Sequence, residues 1–287
     1  MQWTELLEQI NHEYATTFVL GRRYTTGEQG AFAVCDERGR QAVLKWQPDE
    51  RHLQRLQQAQ LVTEQLRCVG YPAPHYLFIG IACEGAYSVQ LALAGSPLPP
   101  ISATLIPRLL EMNALQKDKA LPDLPDWHQE VVRTVLHGGE GYCLHTALQE
   151  HSPQSAKLLH VLQKIVVTHQ RVPHRTNDVV HGDFQHANIL VHEGQISGIV
   201  DWDAPYAGDH TFDIATLLFY TYDDREARKL LWNHALQYVS RELLSMYLVH
   251  LILRQTDWSL RYHDKATAER YLHRADAILR DIGYWVD

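Results

Sequence analysis

No run of ~18 apolar residues occurs in the sequence, which leaves no candidate for a hydrophobic transmembrane helix. The opening stretch, MQWTELLEQINHEY, carries charges at a helical period and lacks the basic-then-apolar plan of a secretory leader. A cytoplasmic protein is therefore expected. Cysteine is sparse: Cys35, Cys68, Cys83 and Cys143 lie far apart and form no C-x-x-C pair. Neither a disulfide framework nor a thiolate metal site is indicated, and buried thiols are expected. Basic charge is also short, with 26 Lys and Arg against 34 Asp and Glu for a formal charge of −8. Both signs are scattered, so nucleic acid finds no positive stripe to bind. An acidic balance suits a cationic partner and is equally ordinary among soluble proteins.

With 45% hydrophobic residues over 287 positions, the chain is long enough to bury one large core or two packed ones. Near the start, FVLG and AFAVCDERGRQAVLKW read as strands, the latter a hairpin about the turn DERGR. Leu53, Leu56, Leu61 and Leu66 then fall at near-helical spacing until Gly70, Pro72 and Pro74 stop the pattern. HYLFIGIAC and AYSVQLALA predict two more strands, which end at the breaker cluster Gly95, Pro97, Pro99 and Pro100. From Ile101 onward the periodicity is mainly helical. Its exception is VVHGDFQHANILVHEGQISGIVDWD, where ILV and ISGIV flank the turn HEGQ. These patterns predict an α+β fold with an N-terminal part over residues 1–94 and a larger, mainly α part over 95–287.

The chemistry concentrates after His181. Asp183 precedes Asn188 by five positions, and thirteen residues of hairpin lead from there to Asp201. Phosphoryl transfer demands mostly positioning and charge neutralisation: a carboxylate for the incoming hydroxyl and oxygen ligands for a divalent cation. Asp183, Asn188 and Asp201 are of those types, and a hairpin returning the chain is expected to bring Asp201 beside Asn188. Asp203, two residues on, is either a second metal contact or a cap for the next element. Isolated Asp and Asn residues in turns usually serve the backbone alone, so it is the combination that carries the signal.

The segment H-G-D-F-Q-H-A-N with Asp201 resembles the catalytic loop and metal-binding aspartate of the aminoglycoside phosphotransferases, relatives of the protein kinases. The resemblance implies a two-lobed, protein-kinase-like fold, with a nucleotide-binding lobe at 1–94 and a catalytic, acceptor-binding lobe at 95–287. It implies ATP and Mg2+, Asp183 as base, Asn188 and Asp201 as metal ligands, and His181 as a support of the loop. The later A-G-D-H-T-F-D-I-A is similar to the family's G-D-x-x-x-D element, making Asp213 a brace and Asp209 a group near a helix N-terminus. Gly182 stands where protein kinases have the arginine of H-R-D, and no long activation loop follows. A small-molecule acceptor is implied.

For the nucleotide half, Lys45 in A-V-L-K-W occupies the strand position of the phosphate-binding lysine. Gly21, Gly27 and Gly30 fall between the first strands, without a G-x-G-x-x-G pattern. Glu64 is the candidate partner of Lys45, although the family pattern aligns Gln60 or Leu61. Backbone groups around Gln90 to Ala92 are expected to meet adenine. Family acceptors include aminoglycosides and peptide antibiotics, and relatives act on choline, homoserine or methylthioribose. A cationic antibiotic needs acids near the acceptor, for which Asp223, Asp224, Glu226 and Asp257 are candidates beside Asp203. Trp232, Tyr247, Trp258 and Tyr262 either line an aromatic pocket or pack between helices. A metal-dependent hydrolase built on His181, His186 and His192 is the competing reading, and it leaves Lys45 and Asn188 without a task.

Overall fold

In a computed structural model, residues 3–24, 30–98 and 101–284 are described. The chain divides into two compact units, the first made of residues 1–99 and 186–205 and the second of 100–185 and 206–287. Helix α1 (Trp3–Tyr14) opens the first unit, followed by β1 (Val19–Tyr24), β2 (Ala31–Cys35), β3 (Gln41–Pro48), α2 (His52–Arg67), β4 (Tyr76–Ala82), β5 (Gly85–Leu91) and β6 (Ser96–Pro97). The second unit begins with α3 (Ile106–Ala114), α4 (Trp127–His137), α5 (His145–His151), α6 (Pro153–His169) and β7 (Asp178–Val180). Strands β8 (Ile189–His192) and β9 (Gln195–Ile199) return to the first unit. Finally β10 (Tyr206–Gly208), α7 (Thr211–Tyr220), α8 (Arg225–Ala235), α9 (Arg241–Tyr262) and α10 (Lys265–Ile282) complete the second.

An antiparallel sheet of order β1-β2-β3-β5-β4 forms the frame of the first unit. Its β2–β3 turn is set by Asp36, whose Oδ1 accepts the N–H groups of Arg38 at 3.0 Å and Arg40 at 2.8 Å. Leu6, Leu7 and Ile10 recur on one face of α1 and bury against Val34, Leu44 and Val89. A second sheet, β6-β8-β9, is closed by a two-residue turn in which Glu193 (φ 48°) and Gly194 (φ 76°) are both left-handed. That conformation matches the twist of a tight hairpin.

The breaker cluster predicts an end of the first part at residue 94, with the hairpin belonging to the helices. Instead Ser96 and Pro97 pair with Val191 and Leu190, so contacts carry the first unit to residue 99 and draw 186–205 into it. Pro97 is tolerated because β6 is an edge strand. In the second unit α9 is buried along most of its 22 residues, polar ones such as His250, Thr256 and Asp257 included. Strands β7 and β10 pair antiparallel; at three residues each they are too short to show an alternating pattern. Cys143 is the buried thiol, Cys35 and Cys83 are half-buried, and Cys68 is exposed. No described helix is long and apolar enough to cross a membrane.

Candidate active site

In the first unit, β3 delivers Lys45 to two carboxylates. Its Nζ donates to Asp201 Oδ1 at 2.6 Å and to Asp203 Oδ2 at 2.9 Å. Burial lowers the lysine's pKa, but the two carboxylates outweigh it and hold the ammonium charged. Asp203 is the better buried, at 15% exposed against 50% for Asp201. It also accepts from Gln47 Nε2 at 3.3 Å and from the Tyr76 hydroxyl at 3.4 Å. Asp203 thus supports Lys45, and not the acceptor as expected. Asp201 adopts φ 70°, a conformation uncommon for a residue with a Cβ and found where a site fixes a side chain. Asn188 precedes β8, and its carbonyl accepts the Val200 N–H at 2.9 Å, so the hairpin holds the two ends of the 188–201 segment together.

Other expectations for the first unit change. Glu64 lies on the exposed face of α2, and the ion pairs of Lys45 go to Asp201 and Asp203. Gln90 is buried in β5. The Leu91 N–H donates to His75 and the Ala92 N–H to Gln41, so both amides are already committed within the sheet. Gly30 is left-handed at φ 74°, whereas Gly27 lies outside the described residues.

In the second unit, the loop after β7 carries Asp183. Gly182 takes φ 81°, a conformation glycine adopts without strain, and the loop is held at its backbone: Asp213 Oδ2 accepts the His181 N–H at 2.9 Å and Oδ1 the Gly182 N–H at 3.0 Å. Gln116 Nε2 donates to the same carboxylate at 2.6 Å. Burial raises the pKa of Asp213, opposed by His181 and these donors. His181 Nδ1 accepts the Asp183 N–H at 3.2 Å. The Asp183 carboxylate meets two side-chain donors: Gln185 Nε2 at 2.9 Å on Oδ2 and Arg254 on Oδ1.

The acids expected around a cationic acceptor have other partners. Asp223 pairs with Arg274. Asp224 caps α8 by accepting the Glu226 and Ala227 N–H groups, and Glu226 is exposed in the first turn of that helix. Asp257 is fully buried, pairs with Arg261 at 2.7 Å and accepts the Leu144 N–H at 3.0 Å. Tyr247 is core, and Arg261 lies over the rings of Trp258 and Tyr262 at 5.3 and 4.8 Å. Among the described residues, the group close enough to hold a metal through His and acidic atoms is Asp178, Asp209 and His210. It contains none of the histidines of the hydrolase reading, and Arg175 already neutralises Asp178.

The fold agrees with the comparisons to known proteins. One solved structure with this architecture is a thermostable mutant of aminoglycoside phosphotransferase APH(4)-Ia in complex with ADP and hygromycin B. It is 20% identical, with 96% of this chain and 98% of that one covered at a TM-score of 0.71. Choline kinase LicA from Streptococcus pneumoniae is 12% identical over 97% and 99% of the chains, at 0.68. Amicoumacin kinase hAmiN, in complex with AMP-PNP, Ca2+ and Ami, is 14% identical over 98% and 96%, at 0.67. At these identities the likeness establishes the fold. The model of the phosphotransferase enzyme family (APH) matches residues 27–244, well over half of the chain, and we conclude that this protein belongs to that family of small-molecule kinases.

Proposed function

We propose that the protein transfers the γ-phosphate of ATP to a hydroxyl of a small molecule, with an aminoglycoside or another antibiotic as the first choice of acceptor. The observation that carries this reading is the Lys45, Asp201 and Asp203 cluster. A largely buried ammonium held by one sheltered and one half-exposed carboxylate is a ready site for polyphosphate charge. In the proposed reaction Lys45 binds the α- and β-phosphates while Asp203 keeps it in place. Adenine meets backbone around Gln90 to Ala92 through groups other than the Leu91 and Ala92 amides, which the sheet already takes.

The donors near Asp201 fit a hard divalent cation. Asn188 and Asp201 offer oxygen, and half of the Asp201 side chain is open to solvent. Magnesium held by these two residues would supply neutralisation of the phosphate charge. Asp183 accepts the proton of the acceptor hydroxyl as its oxygen bonds to the γ-phosphorus; the bond to the β-bridging oxygen breaks and its electron pair leaves with ADP. General-base catalysis of this kind contributes about 10²–10⁴ in rate. His181 and Asp213 hold the loop.

A second reading is favoured by the internal pairing of Asp223 and Asp257. With these acids paired and Arg261 already over Trp258 and Tyr262, a metabolite alcohol of low positive charge is the alternative acceptor. Homoserine is of that kind; choline, with one fixed charge, lies between. Incubation with Mg2+ and γ-labelled ATP across aminoglycosides, peptide antibiotics, choline and homoserine separates the two, with Asp183→Asn as the control. Label on an antibiotic supports the first reading and label on homoserine the second. Absence of ATP binding overturns both.

A further inference from the structure

Helix α9 buries a guanidinium in the catalytic loop. Arg254 is 13% exposed, and an arginine does not shed its proton in a protein. An unpaired buried charge is strongly unfavourable, so the position is tenable only with a partner. Asp257, one turn along, is already taken by Arg261 at 2.9 and 2.7 Å. The other titratable groups around Arg254 are uncharged. Burial raises Tyr142, Cys143 and Tyr220 above their ordinary values and lowers His250, one turn back, to about 3. Asp183 is left as the counter-charge. One end of the fork, Nη2, meets Asp183 Oδ1, and the other, Nη1, donates to the Gly182 carbonyl at 2.7 Å.

We infer that Arg254 is the positioning residue of the base: it clamps the Gly182 carbonyl and one oxygen of Asp183, and so presents Oδ2 to the acceptor hydroxyl. This rests on the assignment of Asp183 as the base. Oδ2 receives Gln185 Nε2 at 2.9 Å, so each oxygen of the carboxylate is oriented by a different side chain. The loop itself carries glycine where protein kinases have arginine, and here a cation arrives from 71 residues further along the chain. A fork that spans a backbone carbonyl and a side-chain oxygen fixes orientation as well as charge, which a lysine does not reproduce.

The test has two independent arms. Thermal unfolding of Asp183→Asn, Arg254→Met and the double variant forms a cycle. Each single change is expected to lower the midpoint, and the double change to lower it less than their sum, because it removes both members of the buried pair. Additive losses overturn the pairing. In turnover, Arg254→Met is expected to lower kcat by about 10–100-fold while the KM for ATP stays within about twofold. Arg254→Lys, which keeps the charge and therefore the fold, should recover part of the loss, and guanidinium ion should partly restore Arg254→Ala. Wild-type kcat in Arg254→Met, or a folded Arg254→Lys without any recovery, overturns the inference. A wild type that phosphorylates nothing counts instead against the proposed function, and the unfolding cycle then decides the pair alone.

Discussion

Asp213 accepts the backbone N–H groups of two successive residues, His181 at 2.9 Å and Gly182 at 3.0 Å, one on each carboxylate oxygen. A fully buried side chain thus fixes the peptide units immediately before Asp183. Truncation to alanine orphans both amides and removes one of the two acceptors of Gln116 Nε2, the Val179 carbonyl remaining, and buried donors left without partners cost about 1–3 kcal/mol each. Asp213→Ala should lose at least about 3 kcal/mol, or roughly 6–12 °C in midpoint for a chain of this size. Calorimetry checks this; a midpoint within about a degree of wild type would show that the loop is held by other means.

Lys45 provides the second prediction, because its two partners are not equivalent. Asp203 is additionally tied to Gln47 and Tyr76, so it acts as the anchor, while the more exposed Asp201 faces the proposed metal. Lys45→Met should raise the KM for ATP by about 10–100-fold, and Asp203→Asn by about tenfold through loss of the anchor. Glu64→Gln should leave it unchanged, since Glu64 is exposed on α2. Steady-state kinetics with varied ATP separates these. An effect at Glu64 as large as that at Asp203 would restore the helix glutamate as the partner of Lys45.

These contacts also show what the sequence could reveal. Asn188 and Asp201 are legible as near neighbours because one hairpin carries both, with Val200 N–H bonded to the Asn188 carbonyl. Asp213 is legible thirty residues from the loop, within a recognisable G-D-x-x-x-D spacing. Lys45 follows from its strand. Arg254 and Gln116 give no such signal: each reaches its site from a helix whose pattern reports only burial. The partners of the acids expected near the acceptor divide along the same line. Asp257 and Arg261 stand four apart on a helix, a pairing open to inspection, whereas Asp223 meets Arg274 across 51 residues. The unit boundary escapes the sequence because Ser96 and Pro97, polar and breaker residues, gain their strand through pairing with β8.

Stability should fall in acid through Asp178. Burial raises its pKa, but hydrogen bonds from His210, Arg175 and the Asp118 N–H outweigh it and hold the carboxyl well below the ordinary range. A folded-state value below the unfolded value of about 3.9 means that the unfolded chain binds the proton more readily. The stabilisation is complete above about pH 5 and is lost as pH falls through about 4 and lower. Asp178→Asn should therefore show a shallower acid limb than wild type. At neutral pH it should be less stable by about 1–3 kcal/mol, since His210 and the Asp118 N–H lose a charged acceptor while Arg175, one-third exposed, keeps Asp118. Unfolding midpoints from about pH 3 to 8 test both; parallel acid limbs would mean that Asp178 is not the group responsible.

Asp201 joins backbone and chemistry most closely, and its substitutions should separate the two. At φ 70° asparagine is among the side chains best tolerated, whereas a β-branched residue is strained. Asp201→Asn should keep the wild-type midpoint within about 2 °C, because its oxygen can still accept from Lys45. Asp201→Val should lose the fold of the hairpin exit as well. If Asn188 and Asp201 hold the cation, neutralising the carboxylate weakens a hard ion far more than it weakens a backbone conformation. Transfer by Asp201→Asn should drop by at least about 100-fold, and the Mg2+ concentration for half-maximal rate should rise. In wild type, chelation of the metal should abolish transfer and added Mg2+ restore it. An Asp201→Asn protein with an unchanged Mg2+ requirement would place the cation on other oxygens, leaving the left-handed backbone at 201 as a feature of the Lys45 pair alone.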